Sequence, residues 1–510
     1  MTRDENHGVP ANPAPIHGES DVRAGTASVL QTQIRNAVLW RSGTQIAGQL
    51  VTWGATFLVI RILNPADYGL VAMTGAIMLF LSLVNGYAFA NAVIQRERVS
   101  RDDLAQLFGI LIATNAVLAI LQLLAAPLAA AYYREPMVAQ LLVVQALLYP
   151  TTPFVVLAYA ILSREMDFKA QARVNFLSAL VIAAFSLGGA LSGWGVWTIV
   201  IAPLAGAWVR AIGLTIAAKS WMRPRFSFRQ SLWIWRFGGA VLAGQVFWFV
   251  QSQADIFIVG RYYDAAELGI YSTALFLTQL FVTKVVPPLN EVAFSAYARI
   301  NALRAAIGPA FLRGCQLVML AGLPVFAGFA LTAEPLVLSV LGAKWAGTIP
   351  FVVLLAIAMP LKTFLTLIGP ACNAIDRTDI PLKNSLAGAI VMPVAYIVAL
   401  QWGLIGIAWA WIAGYAVLAA IAAHQTFGAL GISWRGFARM LAPALFATLA
   451  MAGMVWTVDL WAAALPQPLR LAALVATRAI TYGAWLVLFA RDTVRAVIHL
   501  ALDRQVPEPV

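Results

Sequence analysis

The chain contains the stretch Phe57-Leu-Val-Ile-Arg61-Ile-Leu-Asn-Pro-Ala-Asp67-Tyr-Gly69, and 200 residues later the stretch Phe257-Ile-Val-Gly-Arg261-Tyr-Tyr-Asp-Ala-Ala-Glu267-Leu-Gly269. Five of the thirteen aligned positions are identical, and Asp67 and Glu267 carry the same charge. Chance matching is the alternative, but shared arginine, acid and glycine between two apolar segments are less easily accidental than shared apolar residues. The sequence therefore predicts an internal repeat.

The composition is that of an integral membrane protein. Of 510 residues, 61% are hydrophobic and only 11% are charged, and the mean hydropathy is +0.81. A soluble protein has roughly a quarter of its residues charged. Soluble enzymes, nucleic-acid binders and secreted scaffolds are therefore excluded.

Apolar segments long enough to cross a bilayer, about 20 residues each, recur along the whole chain. They predict an all-α polytopic protein with about fourteen transmembrane helices. The segments are 37–60, 69–94, 104–130, 138–161, 174–191, 196–217, 237–259, 268–290, 309–331, 350–371, 382–400, 404–424, 437–457 and 468–490.

The repeat divides these segments into two lobes of the same orientation. Because the first span corresponds to the seventh, each repeat holds six spans, and an even number makes the repeats parallel. Two C-terminal helices have no counterpart. The predicted regions are a disordered cytoplasmic tail (1–36), an N-terminal lobe (37–217), an interfacial linker (218–236), a C-terminal lobe (237–424), two appended helices (437–490) and a second cytoplasmic tail (491–510).

The distribution of Lys and Arg predicts the orientation, because cytoplasmic loops carry the excess of positive charge. The tails and the loops on their side hold 24 Lys and Arg residues, whereas the opposite loops hold 5. Both termini are therefore expected in the cytoplasm. The net charge of +12 reflects this topology and gives no indication of a nucleic-acid partner.

Several short motifs resemble the polysaccharide transporter family, the Wzx-type flippases of the MOP superfamily, which also contains the multidrug and toxin (MATE) extruders and the peptidoglycan-precursor flippase. They are Gly43-x-Gln45, the Arg61–Gly69 junction, Ala92-Val-Ile-Gln95-Arg96, Arg164-Glu-Met-Asp167-Phe168, and Gly260-Arg261 with Leu268-Gly269-Ile-Tyr271.

The resemblance implies a MATE-like fold with two six-helix lobes around a cavity. It also implies translocation of undecaprenyl-pyrophosphate-linked oligosaccharide repeat units across the bacterial inner membrane by alternating access, for exopolysaccharide, capsule or O-antigen synthesis. The implied partners are the lipid-linked oligosaccharide, membrane lipids, and a polysaccharide polymerase with chain-length or export proteins. No cofactor is implied.

Polar residues follow one face of several spans. In span one Arg41, Gln45, Gln49, Thr52 and Thr56 share a helical face. This face is expected to line a water-filled cavity, although a helix–helix contact or, for Arg41, a snorkelling topology signal are the alternatives. Gln245, Ser252 and Asp255 follow in span seven, and Gln279 and Lys284 in span eight, before a break expected at Pro287-Pro288.

Five cations lie inside predicted spans, where an unpaired charge is costly. They are Arg41, Arg210, Lys284, Lys362 and Arg478. Acids are too few to neutralise them, which favours an external anion such as a lipid pyrophosphate over scattered snorkelling cations. The candidate substrate-binding residues are Arg41, Gln45, Gln49, Gln245, Ser252, Asp255, Gln279, Lys284, Lys362 and Arg210.

Asp255 is the one acid well inside a span and is the candidate for coupling to a proton or sodium ion. The extruders often use an acid on span one, which is absent here. At the repeated junctions, structural ion pairs Arg61–Asp67 and Arg261–Glu267 are expected in preference to a role in substrate binding. Cys315 and Cys372 and the four histidines form no metal-binding motif.

Two other functions compete with the flippase. A membrane polymerase or ligase would need catalytic groups on an external loop, and the longest, about 332–349, has no histidine and no paired carboxylates. A multidrug or other small-molecule exporter of cations would need an acid-rich cavity, whereas this sequence predicts a basic one. A transporter rather than an enzyme is therefore expected.

The orientation can be tested by cysteine accessibility. Cysteines placed at Ala346 and Gly347 should react with an impermeant label from outside the cell, and a cysteine at Ser227 only after permeabilisation. The reverse labelling pattern would contradict both the orientation and the parallel repeat.

Overall fold

A computed structural model describes residues 47–83, 100–226 and 232–489, and for 232–243 and 489 it describes the backbone alone. Helices make up these ranges, and no strand occurs in them. The helices are α1 (Ala47–Ile62), α2 (Pro65–Ser82), α3 (Arg101–Tyr133), α4 (Pro136–Gln145), α5 (Thr151–Arg164), α6 (Phe168–Leu191), α7 (Val196–Ala217), α8 (Leu232–Tyr262), α9 (Ala265–Lys284), α10 (Val286–Ala302), α11 (Gly308–Leu331), α12 (Ala333–Leu336), α13 (Ile349–Ala374), α14 (Asp379–Ala399), α15 (Gly403–Leu430), α16 (Trp434–Ala462) and α17 (Gln467–Phe489).

The predicted all-α membrane fold is confirmed. Within the described ranges, 11 helical runs are long and apolar enough to cross a membrane. One of these runs, Asp379–Leu430, contains two helices that meet at Gly403, whose φ of 73° favours glycine. The count of fourteen spans stays a prediction.

The two repeated junctions begin their second helices in the same way. Asn64 caps α2 and its backbone N–H donates to Asp67 Oδ2 at 3.0 Å, while Asp264 caps α9 and its N–H donates to Glu267 Oε2 at 3.2 Å. Both are capping boxes, which satisfy free N–H groups at a helix start. The acids therefore serve the helix ends, and the expectation that they pair with Arg61 and Arg261 is wrong.

The two junctions also pack against each other. A Cβ atom added to Gly69 would overlap the carbonyl oxygen of Ala265, and one added to Gly269 would overlap that of Pro65. The contacts are reciprocal at an offset of 200 residues, as expected for two related lobes. Only glycine lets the helix backbones come this close.

Hydrogen bonds across the lobes surround this contact. Arg61 Nη1 donates to the Ser339 carbonyl at 2.6 Å, and Arg261 Nη1 donates to the Tyr132 carbonyl at 2.7 Å. Lys344 Nζ donates to Ile62 O at 2.7 Å and Trp345 Nε1 to Ile60 O at 2.9 Å. Both arginines thus contact the opposite lobe. These bonds close one side of the molecule, which we call the junction face.

The opposite side carries the connection between the lobes, and we call it the linker face. Residues 221–226 run beside the start of α3, where the Arg225 N–H donates to Ala105 O at 2.9 Å and the Arg225 guanidinium lies 2.8 Å from Asp102. The described part of the linker is therefore fixed to the first lobe.

The helix break predicted near Pro287-Pro288 is confirmed, because α9 ends at Lys284 and α10 begins at Val286. Asn290 of α10 donates to the Thr366 carbonyl at 2.9 Å. This bond holds the broken segment against α13.

The two C-terminal helices attach to the second lobe at the junction face. Arg470 of α17 pairs with Asp459 at 2.7 Å and with Glu334 at 3.0 Å, and its side chain is only 12% exposed. Deeper in the membrane, the guanidinium of Arg478 lies over Gly328 of α11.

The glycine contact between the lobes can be tested with Gly269→Ala. Overfilling a packed core costs about 1–3 kcal/mol, and here the obstacle is a backbone oxygen that cannot rotate away. We expect a clear fall in the thermal unfolding midpoint of the purified protein and in its abundance in membranes. Gly75→Ala in α2 is the matched control, since a Cβ there meets no atom within 4 Å. Equal stability of the two variants would contradict the tight contact.

Candidate functional site

A cavity of about 1040 Å³ lies among α2 of the first lobe and α8, α9, α13, α14 and α15 of the second. Its volume is at the upper end of the range of about 300–1,000 Å³ found for ligand pockets. We call it the central cavity.

Five of the ten candidate residues line this cavity. They are Ser252 and Asp255 from α8, Gln279 and Lys284 from α9, and Lys362 from α13. The helix break after Lys284 places Pro287 in the same lining.

Lys362 is fixed in position by two neighbours. Its Nζ donates to Gln279 Oε1 at 2.9 Å and lies 4.9 Å from the centre of the Trp411 ring. The ring face attracts the ammonium group, and the amide oxygen accepts one of its three protons. At least one proton remains free for a ligand.

Lys284 is more accessible. Its side chain is exposed at the end of α9, and it makes no hydrogen bond or ion pair with any part of the chain that the structure describes. Its charge is therefore available to a ligand without first breaking a contact.

Asp255 lies beneath the cavity surface and is 1% exposed. Tyr271 Oη donates to its Oδ2 at 2.7 Å, and the backbone N–H of Ile256 donates to its Oδ1 at 2.9 Å. A buried carboxyl group that is hydrogen-bonded in this way is held in one orientation.

Tyr271 and Trp411 connect the acid to the lysine. Trp411 Nε1 donates to Tyr271 Oη at 2.7 Å, and the hydroxyl of Tyr271 in turn donates its hydrogen bond to Asp255. Since Trp411 also lies beside Lys362, a continuous chain of contacts runs from the acid through two rings to the cation. The sequence analysis missed this role for both residues, although Tyr271 lies in the quoted motif Leu268–Tyr271.

Seven further neutral polar side chains line the cavity, and the rest of its wall is mostly apolar. The seven are Gln251, Gln253, Ser272, Thr283, Thr366, Asn384 and Ser385. The formal charges among the lining residues with described positions are two lysines and one buried aspartate. Such a wall can hold an anion at the lysines and hydroxyl-rich groups at the amides.

The other candidate residues lie elsewhere. Gln49 and Arg210 line a separate cavity of about 430 Å³ inside the first lobe, which we call the first-lobe pocket. Gln245 is exposed on α8 and lines neither cavity. Arg41 and Gln45 lie outside the described residues. The structure therefore does not bring Gln49, Arg210 and Gln245 to the cavity that holds the other five candidates.

Among the residues with described positions, no group of three or more His, Cys, Asp or Glu side chains is placed to hold a metal ion. Cys315 and Cys372 are both buried as free thiols.

The sequence profile of a family described as "Polysaccharide biosynthesis protein" matches residues 58–350, more than half of the chain. The chain belongs to this family. The matched region includes both repeated junctions, Asp255 and Lys284, and ends before Lys362.

Two curated relatives are similar to this chain over about two thirds of its length. The succinoglycan biosynthesis transport protein ExoT of Rhizobium meliloti is 26% identical over 332 residues, which are 63% of this chain and 67% of ExoT. The teichuronic acid biosynthesis protein TuaB of Bacillus subtilis is 23% identical over 351 residues, which are 67% of this chain and 71% of TuaB.

The fold matches that of a solved flippase. The lipid II flippase MurJ in an inward closed conformation superposes with a TM-score of 0.73 at 14% identity, covering 90% of this chain and 100% of MurJ. This likeness confirms the predicted fold of two related helical lobes.

Proposed function

We propose that this protein translocates lipid-linked oligosaccharide repeat units across the bacterial inner membrane for polysaccharide synthesis, by alternating access. One structural observation carries the proposal: Lys284 and Lys362 share a cavity, and the one acid in its described lining, Asp255, is buried and hydrogen-bonded to Tyr271. The role of ExoT as a transport protein of succinoglycan biosynthesis supports a transport function in this family.

The lysines would bind the pyrophosphate of the lipid carrier. A pyrophosphate carries several negative oxygens, and ammonium groups bind them as point charges. Lys362 is already oriented by Gln279 and Trp411, whereas Lys284 is free to move toward the ligand. One fixed and one adaptable cation suit a group that must be both bound and released.

The neutral side chains would bind the sugars. Amide groups such as those of Gln253 and Asn384 donate and accept hydrogen bonds at once, which matches sugar hydroxyls. The wall from α2 presents Ala72, Gly75 and Ala76, which leave room for bulky rings.

Export of cationic drugs fits this cavity less well. Such a substrate needs an accessible acid, but the Asp255 carboxyl group is 1% exposed and bonded to Tyr271. The accessible charge at Lys284 would repel it.

The orientation follows from the charge of the loops. The linker face lies in the cytoplasm, and the junction face, closed by Arg61, Arg261, Lys344 and Trp345, lies on the periplasmic side. In this arrangement the substrate enters from the side on which it is synthesised.

Replacing Lys284 and Lys362 with Gln tests the proposal. Each change removes a charge but keeps a long hydrogen-bonding side chain. A hydrogen bond to a charged group contributes about 1.5–3 kcal/mol, so each variant should lose roughly ten- to hundredfold in affinity. The measurement is export of polymer by cells, with the amount of the variant in the membrane determined in parallel.

Lys383→Gln is the matched control, because Lys383 lies on α14 of the same lobe and pairs with Asp379 at the surface, 2.8 Å away. It should export normally. Normal export by the double variant Lys284→Gln/Lys362→Gln would contradict the proposed site, and loss of the protein from the membrane would indicate a structural role for the lysines.

Asp255→Asn tests ion coupling. If the carboxyl group binds a proton or sodium ion, the amide should lower transport and flatten its dependence on the ion gradient. Tyr271→Phe is the control, since it removes the 2.7 Å hydrogen bond but keeps the acid, and it should retain gradient dependence. Full gradient dependence of transport in Asp255→Asn would contradict a coupling role, and Asp255 would then be a structural partner of Tyr271.

A further inference from the structure

The first-lobe pocket is a second polar cavity that shares no lining residue with the central cavity. Its walls come from α1, α5, α6 and α7. A ligand held here would therefore bind independently of one in the central cavity.

Among the described residues that line the pocket, Arg210 supplies the one formal charge. Its Nε atom is buried without a hydrogen-bond partner, and nowhere in the described ranges does the guanidinium form an ion pair. A buried N–H group of a cation that lacks a partner is unfavourable. The Arg210 guanidinium therefore lacks a hydrogen-bond acceptor in this pocket.

Neutral amides lie around this guanidinium. Gln49 and Asn175 line the same pocket, and in the part of the protein with described positions neither side chain forms a hydrogen bond. Gln171 is already engaged, since its Nε2 donates to Ser163 Oγ at 3.0 Å. A planar guanidinium fork with two free amides complements an anion that offers several oxygens.

The position of Arg210 favours a group at the membrane surface. It lies seven residues before the end of α7 at Ala217, which is about 10 Å along a helix. The pocket is thus in the half of the first lobe toward the linker face. There a lipid headgroup or a dissolved anion can reach it.

The repeat shows that this charge is specific to the first lobe. Arg210 corresponds at the 200-residue offset to Ala410, so the second lobe has no cation at that position. We propose that the first-lobe pocket binds a phosphate-type oxyanion through Arg210, separately from the transported substrate.

The test uses the full chain carrying Lys284→Gln/Lys362→Gln, so that anion binding in the central cavity is removed. The purified protein is titrated with inorganic phosphate in non-ionic detergent, and is separately reconstituted into phosphatidylcholine nanodiscs with or without phosphatidylglycerol. The thermal unfolding midpoint is measured in each case. The response of the unfolding midpoint to each ligand is compared between proteins with and without the Arg210→Gln substitution.

We expect the midpoint to rise with phosphate, phosphatidylglycerol or both, and Arg210→Gln to raise the half-saturating concentration about tenfold or more. Arg173→Gln is the matched control, because Arg173 is exposed on α6 and outside the pocket. A response to phosphate identifies a soluble ligand, and a response to phosphatidylglycerol alone identifies a lipid headgroup.

Arg210→Lys keeps the positive charge and serves as a second variant in case Arg210→Gln fails to fold. It should weaken the response several-fold, because lysine lacks the planar guanidinium group. A response unchanged in both Arg210 variants would overturn the proposal. The absence of any response in the Lys284→Gln/Lys362→Gln protein would also overturn it. If the native protein responds while that variant does not, the anion binds in the central cavity.

Discussion

The backbones of α2 and α9 touch at Gly69 and Gly269, and this contact determines how the two lobes meet. Because neither residue has a Cβ, the carbonyl oxygens of Pro65 and Ala265 can approach the opposite helix. The approach brings Arg61 and Arg261 within reach of carbonyls in the other lobe. Farther along the same helices, Gly75 and Ser272 line the central cavity, so one pair of helices both closes the junction face and walls the cavity.

The overall fold could be predicted because a membrane leaves few choices. Backbone groups in lipid must bond within the segment, so long apolar stretches become helices. The error at the junctions has a different origin. Asn64-Pro-Ala-Asp67 and Asp264-Ala-Ala-Glu267 have the spacing of capping boxes, which was a readable signal. The carbonyls that Arg61 and Arg261 contact belong to distant parts of the chain, and the spacing of residues along a helix contains no information about them.

The same limit applies to the candidate site. Ser252 and Asp255 share a face of α8, and Gln279 and Lys284 follow on the next helix, so their convergence could be expected from helical spacing. The spacing of residues along a helix does not predict which cavity its polar face lines, and Gln49 and Arg210 line a different cavity. Nor could it pair Tyr271 with Trp411, which are 140 residues apart and meet only through packing of α9 against α15.

Alternating access requires that the bonds at the junction face break when the lobes separate there. The bonds from Arg61, Arg261 and Lys344 are exposed, so water can replace the lost carbonyl acceptors and the net cost of breaking each bond is small. Trp345 is different, because its side chain is fully buried and its indole N–H is bonded to Ile60 O. Opening must also expose its apolar surface, which adds an area-dependent cost that the charged groups do not have. Of these four contacts, that of Trp345 therefore costs most to open, and substrate binding at the proposed site in the central cavity would have to offset that cost.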